Sequence, residues 1–465
     1  MRFFSKKKFF SLAAIMLSGL LFSGCGFKST PTEVYRVKLE VWGILDSDAY
    51  TGLFAEYRKI NPYVGEINYR KLPIETYKED LLNALAAGNG PDIFMLRNAW
   101  RGAFEDKIVP MPNSAGTEKL YRDSFVDVVA SDFIKDGKIY AAPLSVDSLA
   151  LYYNKDLFNA AGIANPPATW EELLGDVRKL NRINQFGVID QSAIALGTSK
   201  NINRSTDVLT VLMFQMGSDM NQTQGSARIA DENSRKALEF YTQFANISSG
   251  FYSWNPRLHY SIDAFYENTL GMMINYSWKY AEIKQKNAKL NFGTAPLPQF
   301  SGTTPVNFPN YWGFAVAENK MTEVDPSAPA GVPAPDLKKQ NYLRVHEAWQ
   351  LINYMTLPHP DKTITLQNGI TGMTKSFSLS FDPAKKYLET TNQPAARRDL
   401  IEWQKNNVIL APFATGNLIA KNWYQGNPEA VETIFSEMID SVNNKQQGAY
   451  EALNAAANRV NLVGY

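Results

Sequence analysis

Between Val37 and Leu96 the chain alternates between two hydrophobic periods, and this alternation narrows the folds open to it. "VKLEVWGI" (Val37–Ile44) is β-branched and alternating, the pattern of a strand. "TGLFAEYRKINP" then places Leu53, Phe54, Tyr57 and Ile60 at helical spacing and stops at Asn61-Pro62. "EINYRKLP" reads as a second strand, "TYKEDLLNALAAGNGPD" as a helix closed by glycines, and Asp92–Leu96 as a third strand. Strand, helix, strand, helix, strand implies parallel pairing with crossover helices, an α/β layer. Ligands of such sheets bind beyond the carboxyl ends of the strands. Asp46 and Ser47 follow the first strand, Arg70 ends the second, and Asn98 and Trp100 follow the third.

The N-terminus sets the compartment. Arg2, Lys6, Lys7 and Lys8 precede an apolar run from Phe9 to Phe22, and Ser23-Gly24 leads into Cys25. The run is too short for a bilayer, so residues 1–24 read as a secretory signal peptide. Cys25 is the only cysteine in 465 residues, which rules out an intramolecular disulfide despite the oxidising compartment the signal implies. The small residues before it resemble a bacterial lipobox, whose cysteine is lipidated and becomes the mature N-terminus; Phe22 stands where that pattern usually has leucine. The alternatives are an ordinary cleaved signal with a chance cysteine, or an uncleaved anchor. A diacylglycerol plus an acyl chain suffices for stable membrane attachment. Residues 25–36 are small and polar and read as a tether. Losing Arg2, Lys6, Lys7 and Lys8 with the signal takes the formal charge from +1 to −3, so no global attraction to nucleic acid is expected. The remaining ~440 residues exceed what one core usually serves, and two lobes are expected.

Further along, "YAAPLSVDSLALYYNKDLFNAAGIANPPATWEELL" runs from a strand through Pro143 into a second strand and a helix. Thr169 and Glu172 form a T-x-x-E capping box ahead of a stripe of Trp170, Leu173, Leu174, Val177 and Leu180. Near the end, Asn427 caps a helix with Pro428 in its first turn and a stripe of Val431, Ile434, Phe435, Met438, Ile439 and Val442.

The long stretch from Tyr140 resembles the hinge segment of extracellular solute-binding proteins that serve ABC importers, in the sugar-binding group that includes maltose-binding proteins. "AAGNGPDIFML", "GMMINYSWKYAEI", "NFGTAPLPQ", "NYWGFAVAEN" and "HEAWQLINYM" resemble other segments of that family in the same order. Met321–Gln340 departs as a Pro/Ala-rich insert, expected to be a surface loop. The resemblance implies an α/β, two-lobed periplasmic-binding-protein type II fold with a hinge and three interlobe crossings, near Asp147–Leu149, Ala295–Pro298 and Met373–Lys375. It divides the chain into an N-terminal lobe of residues 37–147 and 298–373 and a C-terminal lobe of 148–297 and 374–465. It also implies a monomer that delivers a sugar to the transmembrane subunits of an ABC permease.

A sugar cleft needs flat apolar faces and polar groups that orient hydroxyls. Trp100, Trp278 and Trp312, with Tyr311 beside the last, lie in loops after strands or crossovers; Trp170, Trp349 and Trp403 fit helices and read as core, while Trp423 is ambiguous. The polar candidates are Asp46, Ser47, Arg70, Asn98 and Asp147, and the resemblance adds Thr371 and Gly372 as cleft-lining backbone. Signals for catalysis are poor. His259, His346 and His359 are far apart, and no H-E-x-x-H, G-x-S-x-G or P-loop is present. "GNGPDI" starts like a dinucleotide fingerprint but lacks its third glycine. No catalytic residue, cofactor or metal site is therefore expected. A signalling lipoprotein of the same fold and a carbohydrate-active enzyme stay open as alternatives, because the separation of a carboxylate pair is a three-dimensional fact.

Overall fold

The computed structural model describes residues 35–220, 227–318 and 336–463. The expected signal peptide, Cys25, most of the tether and residues 321–335 of the expected loop lie outside this range. The last part of that loop is helical instead. A helix runs from Leu337 to Thr356, because Asp336 caps it by accepting the Lys339 N–H at 2.9 Å.

The first sheet grows from the alternating segment. Strand β1 (Val37–Gly43) lies between β2 (Val64–Lys71) and β3 (Ile93–Arg97) and is parallel to both. Helices α1 (Asp48–Ile60) and α2 (Tyr77–Ala86) make the crossovers. The Trp312–Ala317 strand then adds antiparallel to β3, and Ile108–Val109 closes that edge. Leu39, Val41, Ile93 and Leu96 pack with Tyr50, Leu53 and Tyr57 of α1 and with Trp349 and Ile352 of the Leu337–Thr356 helix.

The second sheet runs Phe292–Pro296, Ala150–Asn154, Leu270–Asn275, Ile189–Ile194, Arg182–Ile183. Its central strands, Ala150–Asn154 and Leu270–Asn275, are apolar on both faces, and the two-residue period divides them. Leu151, Met272 and Ile274 join one core with Trp170, Leu173, Val177 and Leu180. Ala150, Tyr152 and Met273 join another with Trp254, Phe265 and Phe413. Thr169 Oγ1 accepts the Glu172 N–H at 3.2 Å, and Glu172 returns a bond to the N–H of Ala168, one residue before the cap. Asn427 Oδ1 caps the Pro428–Asn443 helix through the Ala430 N–H, and Val431, Ile434, Phe435, Met438 and Ile439 are buried.

Among the described residues, the chain passes between the first core and those of the second sheet at Val146–Leu149, at Phe308–Tyr311 and within Ile401–Trp423, where Phe413 packs on the second sheet and Ala414 in the first core. The passage expected at Ala295–Pro298 lies later, since Phe292–Pro296 is a strand of the second sheet and Leu297 and Phe308 belong to its core. The change of lobe expected near Met373–Lys375 does not occur there. Leu379, Tyr387, Leu388, Ala395 and Ile401 all pack in the first core, so residues 374–401 stay with the first lobe.

The three segments form one hydrogen-bonded hinge. Asp147–Ser148 pairs antiparallel with Pro309–Asn310. Asn307 Nδ2 donates to the Leu149 carbonyl, Asn417 Nδ2 to the Val146 carbonyl and Ser148 Oγ to the Phe413 carbonyl, at 2.8, 2.5 and 3.0 Å. Gly416 is required here, since a Cβ would stand 2.6 Å from both Ser148 Oγ and Asn307 Nδ2.

Trp170 and Trp349 are fully buried and Trp423 joins the second core. Trp403 is not a core residue. It is 38% exposed, beneath the Lys385 ammonium at 4.8 Å. No helix among the described residues is long and apolar enough to cross a membrane.

Candidate functional site

A cavity of about 430 Å³ opens between the two lobes beside the hinge. Its first wall comes from strand ends: Ile44 and Leu45 after β1, Ile74 after β2, Met95 and Arg97 of β3, and Trp100 just beyond. Trp312 and Phe314 come from the neighbouring strand, with Tyr311 just before it, and Trp312 pairs in register with Arg97. Tyr387 and Gln393 complete that side. The opposite wall is smaller. It consists of Arg204, Ser277 and Trp278, while the hinge contributes Asp147 and Asn310.

The expected residues divide on this geometry. Trp100, Asp147, Trp278, Tyr311 and Trp312 line the cavity. Trp100 stands edge to face with Trp312, centroids 5.1 Å apart, and stacks on Tyr77 and Phe104. Trp278 is 39% exposed and stacks on Tyr276 at 4.5 Å. Asn98 lines adjoining polar pockets. Its Nδ2 donates to Asp132, which also accepts from Tyr311 Oη at 2.7 Å and Asn422 Nδ2 at 3.1 Å. Burial raises the Asp132 carboxyl to about 6 against those three donors.

Asp46, Ser47, Arg70, Thr371 and Gly372 do not line the cavity. The exposed Asp46 carboxylate meets the Lys71 ammonium at 2.7 Å. Ser47 starts α1, and its side chain makes no capping bond. The Arg70 guanidinium lies over the Trp42 ring at 4.9 Å. Thr371 and Gly372 sit in the turn of the Thr363–Gln367/Thr374–Ser378 hairpin, whose Ile364 and Leu366 anchor it on the first core. Local partners satisfy the two charged side chains, and that is a tertiary outcome their positions after strands did not reveal.

Asp147 ties the hinge to the second lobe. Its Oδ2 accepts the Ser277 N–H at 2.9 Å and the Ser277 hydroxyl at 2.6 Å, while the buried Oδ1 has no partner. Burial raises this carboxyl to about 7, and the bonds from Ser277 only partly offset it. It is the one carboxylate among the residues lining the cavity, whereas glycoside hydrolysis ordinarily uses two.

Sequence reading missed Arg204, Tyr387, Asn310 and Gln393. Arg204 adopts φ 65°, uncommon outside glycine, at the start of the Ser205–Gln215 helix. Its guanidinium lies over Trp278 at 5.6 Å and Tyr276 at 5.8 Å. The segment "NINRSTD" carries no turn motif that announces this conformation.

The lobes also touch directly. Trp100 Nε1 donates to Glu429 Oε1 at 2.8 Å, and Lys78 Nζ meets Glu429 Oε2 at 2.7 Å. Burial alone would raise the Glu429 carboxyl, but Lys78, its own backbone N–H and Trp100 outweigh it and hold it below the usual range. An aromatic cavity bounded by both lobes, beside a three-segment hinge and with a contact reaching across it, can enclose a small molecule as the lobes close.

Comparison with known proteins agrees. The model of the bacterial extracellular solute-binding protein family matches residues 52–390. The chain is 26% identical over 268 residues to a binding protein of Brucella abortus, covering 55% of this chain and 62% of that one. It is 23% identical over 274 residues to a maltotriose-binding protein of Pyrococcus abyssi, covering 56% and 53%. Each match thus spans less than two thirds of the relative. A cyclic α-maltosyl-1,6-maltose binding protein from Arthrobacter globiformis has the same fold, with a TM-score of 0.68 at 19% identity over 92% of this chain and 99% of that one. The chain belongs to the family of bacterial extracellular solute-binding proteins.

Proposed function

We propose that the protein is the solute-binding lipoprotein of an ABC importer. It captures a sugar, an oligosaccharide, in the interlobe cleft and delivers it to a permease as a monomer, without making or breaking a bond. The observation that carries this reading is the cavity itself, in which Trp100 and Trp312 from one lobe and Trp278 from the other share one space. Sugar rings present C–H faces that pack on such indoles, and an opening of this size takes more than one ring. The maltotriose-binding relative is consistent with that choice. Solute contacts both walls only when the lobes are closed, so binding shifts the population toward the closed form. Lipid on Cys25 holds the protein at the outer face of the cell membrane.

Thermal-shift screening of residues 26–465 against mono- and oligosaccharides, amino acids and polyols tests the reading. A solute at a hundred times its Kd stabilises by about 2.7 kcal/mol, a measurable rise in Tm. Oligosaccharides are expected to give that rise, and Trp278→Ala to remove it. A folded protein that responds to no sugar, and only to another solute class, would overturn the assignment. Cys25→Ser is expected to move the protein from the membrane fraction into the soluble one.

A further inference from the structure

The charges around the cavity are more than a neutral sugar requires. Arg97 from the first lobe and Arg204 from the second both line it. Neither forms an ion pair among the described residues, and the buried Nε of Arg204 has no hydrogen-bond partner. The fully buried arginines of this molecule do have carboxylates. Arg344 is 3.7 Å from Asp92, and Arg397 meets Asp382 at 2.8 Å and Asp399 at 2.6 Å. Arg97 and Arg204, half-buried at one cavity, have no such direct ion pair.

Arg204 also adopts the left-handed backbone, at φ 65° and ψ 27°. Strain of this kind persists where the surrounding structure holds it for a function. Here the rings of Trp278 and Tyr276 support the guanidinium against the cavity wall.

The acids nearby are Asp207, Glu432 and Asp147. Asp207 and Glu432 line the adjoining polar pocket together with Arg97. Asp207 already accepts the Tyr276 hydroxyl at 2.9 Å. The Glu432 carboxyl is raised by burial and then by the charge of Asp207. Arg97 and Arg204 both act on Glu432 electrostatically, so the two guanidiniums approach one region from opposite lobes. Asp147, the remaining acid at the cavity, has its Oδ2 occupied by Ser277.

We infer that the solute carries an anionic group on a sugar, a carboxylate or a phosphate, which is held between Arg97 and Arg204 when the lobes close. This rests on the reading of the cleft as a sugar site and specifies the class of sugar. Planar guanidiniums bind such groups through paired N–H donors, and among the described residues no carboxylate stands within ion-pair distance to occupy those of Arg97 and Arg204.

The test is competitive capture. The chain is incubated with a pool of neutral, uronate-bearing and phosphorylated mono- to tetrasaccharides, washed, denatured, and the released solute identified by mass spectrometry. Acidic species are expected to be enriched at least tenfold over neutral ones, and their masses separate carboxylate from phosphate. Arg97→Gln and Arg204→Gly should each reduce acidic capture at least tenfold. Glycine adopts φ 65° freely, so Arg204→Gly should keep or raise Tm, which separates lost binding from lost folding. Neutral capture, an acid-to-neutral ratio equal to that of the pool, or acidic capture unchanged in both variants would overturn the inference. If the folded chain captures no sugar at all, the reading of the cleft fails, and the inference with it.

Discussion

On the first-lobe wall of the cleft Trp100 is 6% exposed, and on the second-lobe wall Trp278 is 39% exposed. Trp100 packs with Tyr77, Phe104 and Trp312, and the polar groups behind that wall converge on Asp132. The other wall is a single open indole on Tyr276, with a strained arginine over it. The first wall is thus continuous with a core and exists without solute. The second has unmet bonding capacity that a solute can fill. On the function proposed above, contacts to the second wall form only on closure and so couple binding to hinge movement.

The largest expected effect tests the core-like character of the first wall. Trp100→Ala should cost about 3 kcal/mol or more in stability by urea unfolding, the usual range for a buried tryptophan. Trp278→Ala should stay within about 1 kcal/mol and express its loss in affinity instead. Equal losses in stability would erase the distinction between the walls.

The next test concerns the hinge carboxyl. With its native pKa near 7, Asp147 is more basic than in an unfolded chain, where carboxylates titrate near 4. Its contribution to stability is therefore complete below about pH 4 and fades as pH rises through 7. Asp147→Asn keeps an acceptor for Ser277 and removes the titration. Its fall in stability between pH 4.5 and pH 8 should be roughly 3 kcal/mol smaller than the parent's. Asp132 and Glu347, raised by burial to about 6 and about 8, stay in place and leave a residual slope of the same sign. A variant with the parent's full slope would show that the hinge carboxyl is already charged in the native state.

The smallest expected effect belongs to the contact that joins the walls. Glu429 is partly exposed, so its pairing with Lys78 and Trp100 is worth about 1 kcal/mol. Glu429→Ala should open the unliganded lobes, seen as a larger radius of gyration in solution scattering. It should also weaken solute binding roughly fivefold through the lower closed population. Unchanged dimensions would show that the contact does not hold the lobes together.

Much of the local structure was legible. The strand and helix alternation of residues 37–96, the Thr169 capping bond and the buried stripe from Val431 to Ile439 follow from near-neighbour geometry. Five expected site residues do line the cavity, because strand ends and the hinge are where an α/β sheet exposes them. Asp46 and Arg70 stand at strand ends too, yet Lys71 and Trp42 hold them away from it. Nothing in the order of residues distinguishes them from Arg97, which no such partner claims. The loop tryptophans were similarly alike on paper, and only packing made Trp100 part of a core and Trp278 a platform.

By itself the sequence determined the period of each segment, the caps that start its helices and a fold that does without disulfides, since these depend on neighbours within a few positions and on one cysteine. The tertiary structure decided which core each segment joins. Residues 374–401 carry the same kinds of apolar residues as their neighbours and pack in the first lobe because its face was there to be covered. It also decided the site. Arg97, Arg204, Asp147 and Tyr387 reach one cavity only when two lobes and a hinge fold together. A left-handed arginine is held by that assembly and by no local preference, since its backbone conformation is unfavourable on its own.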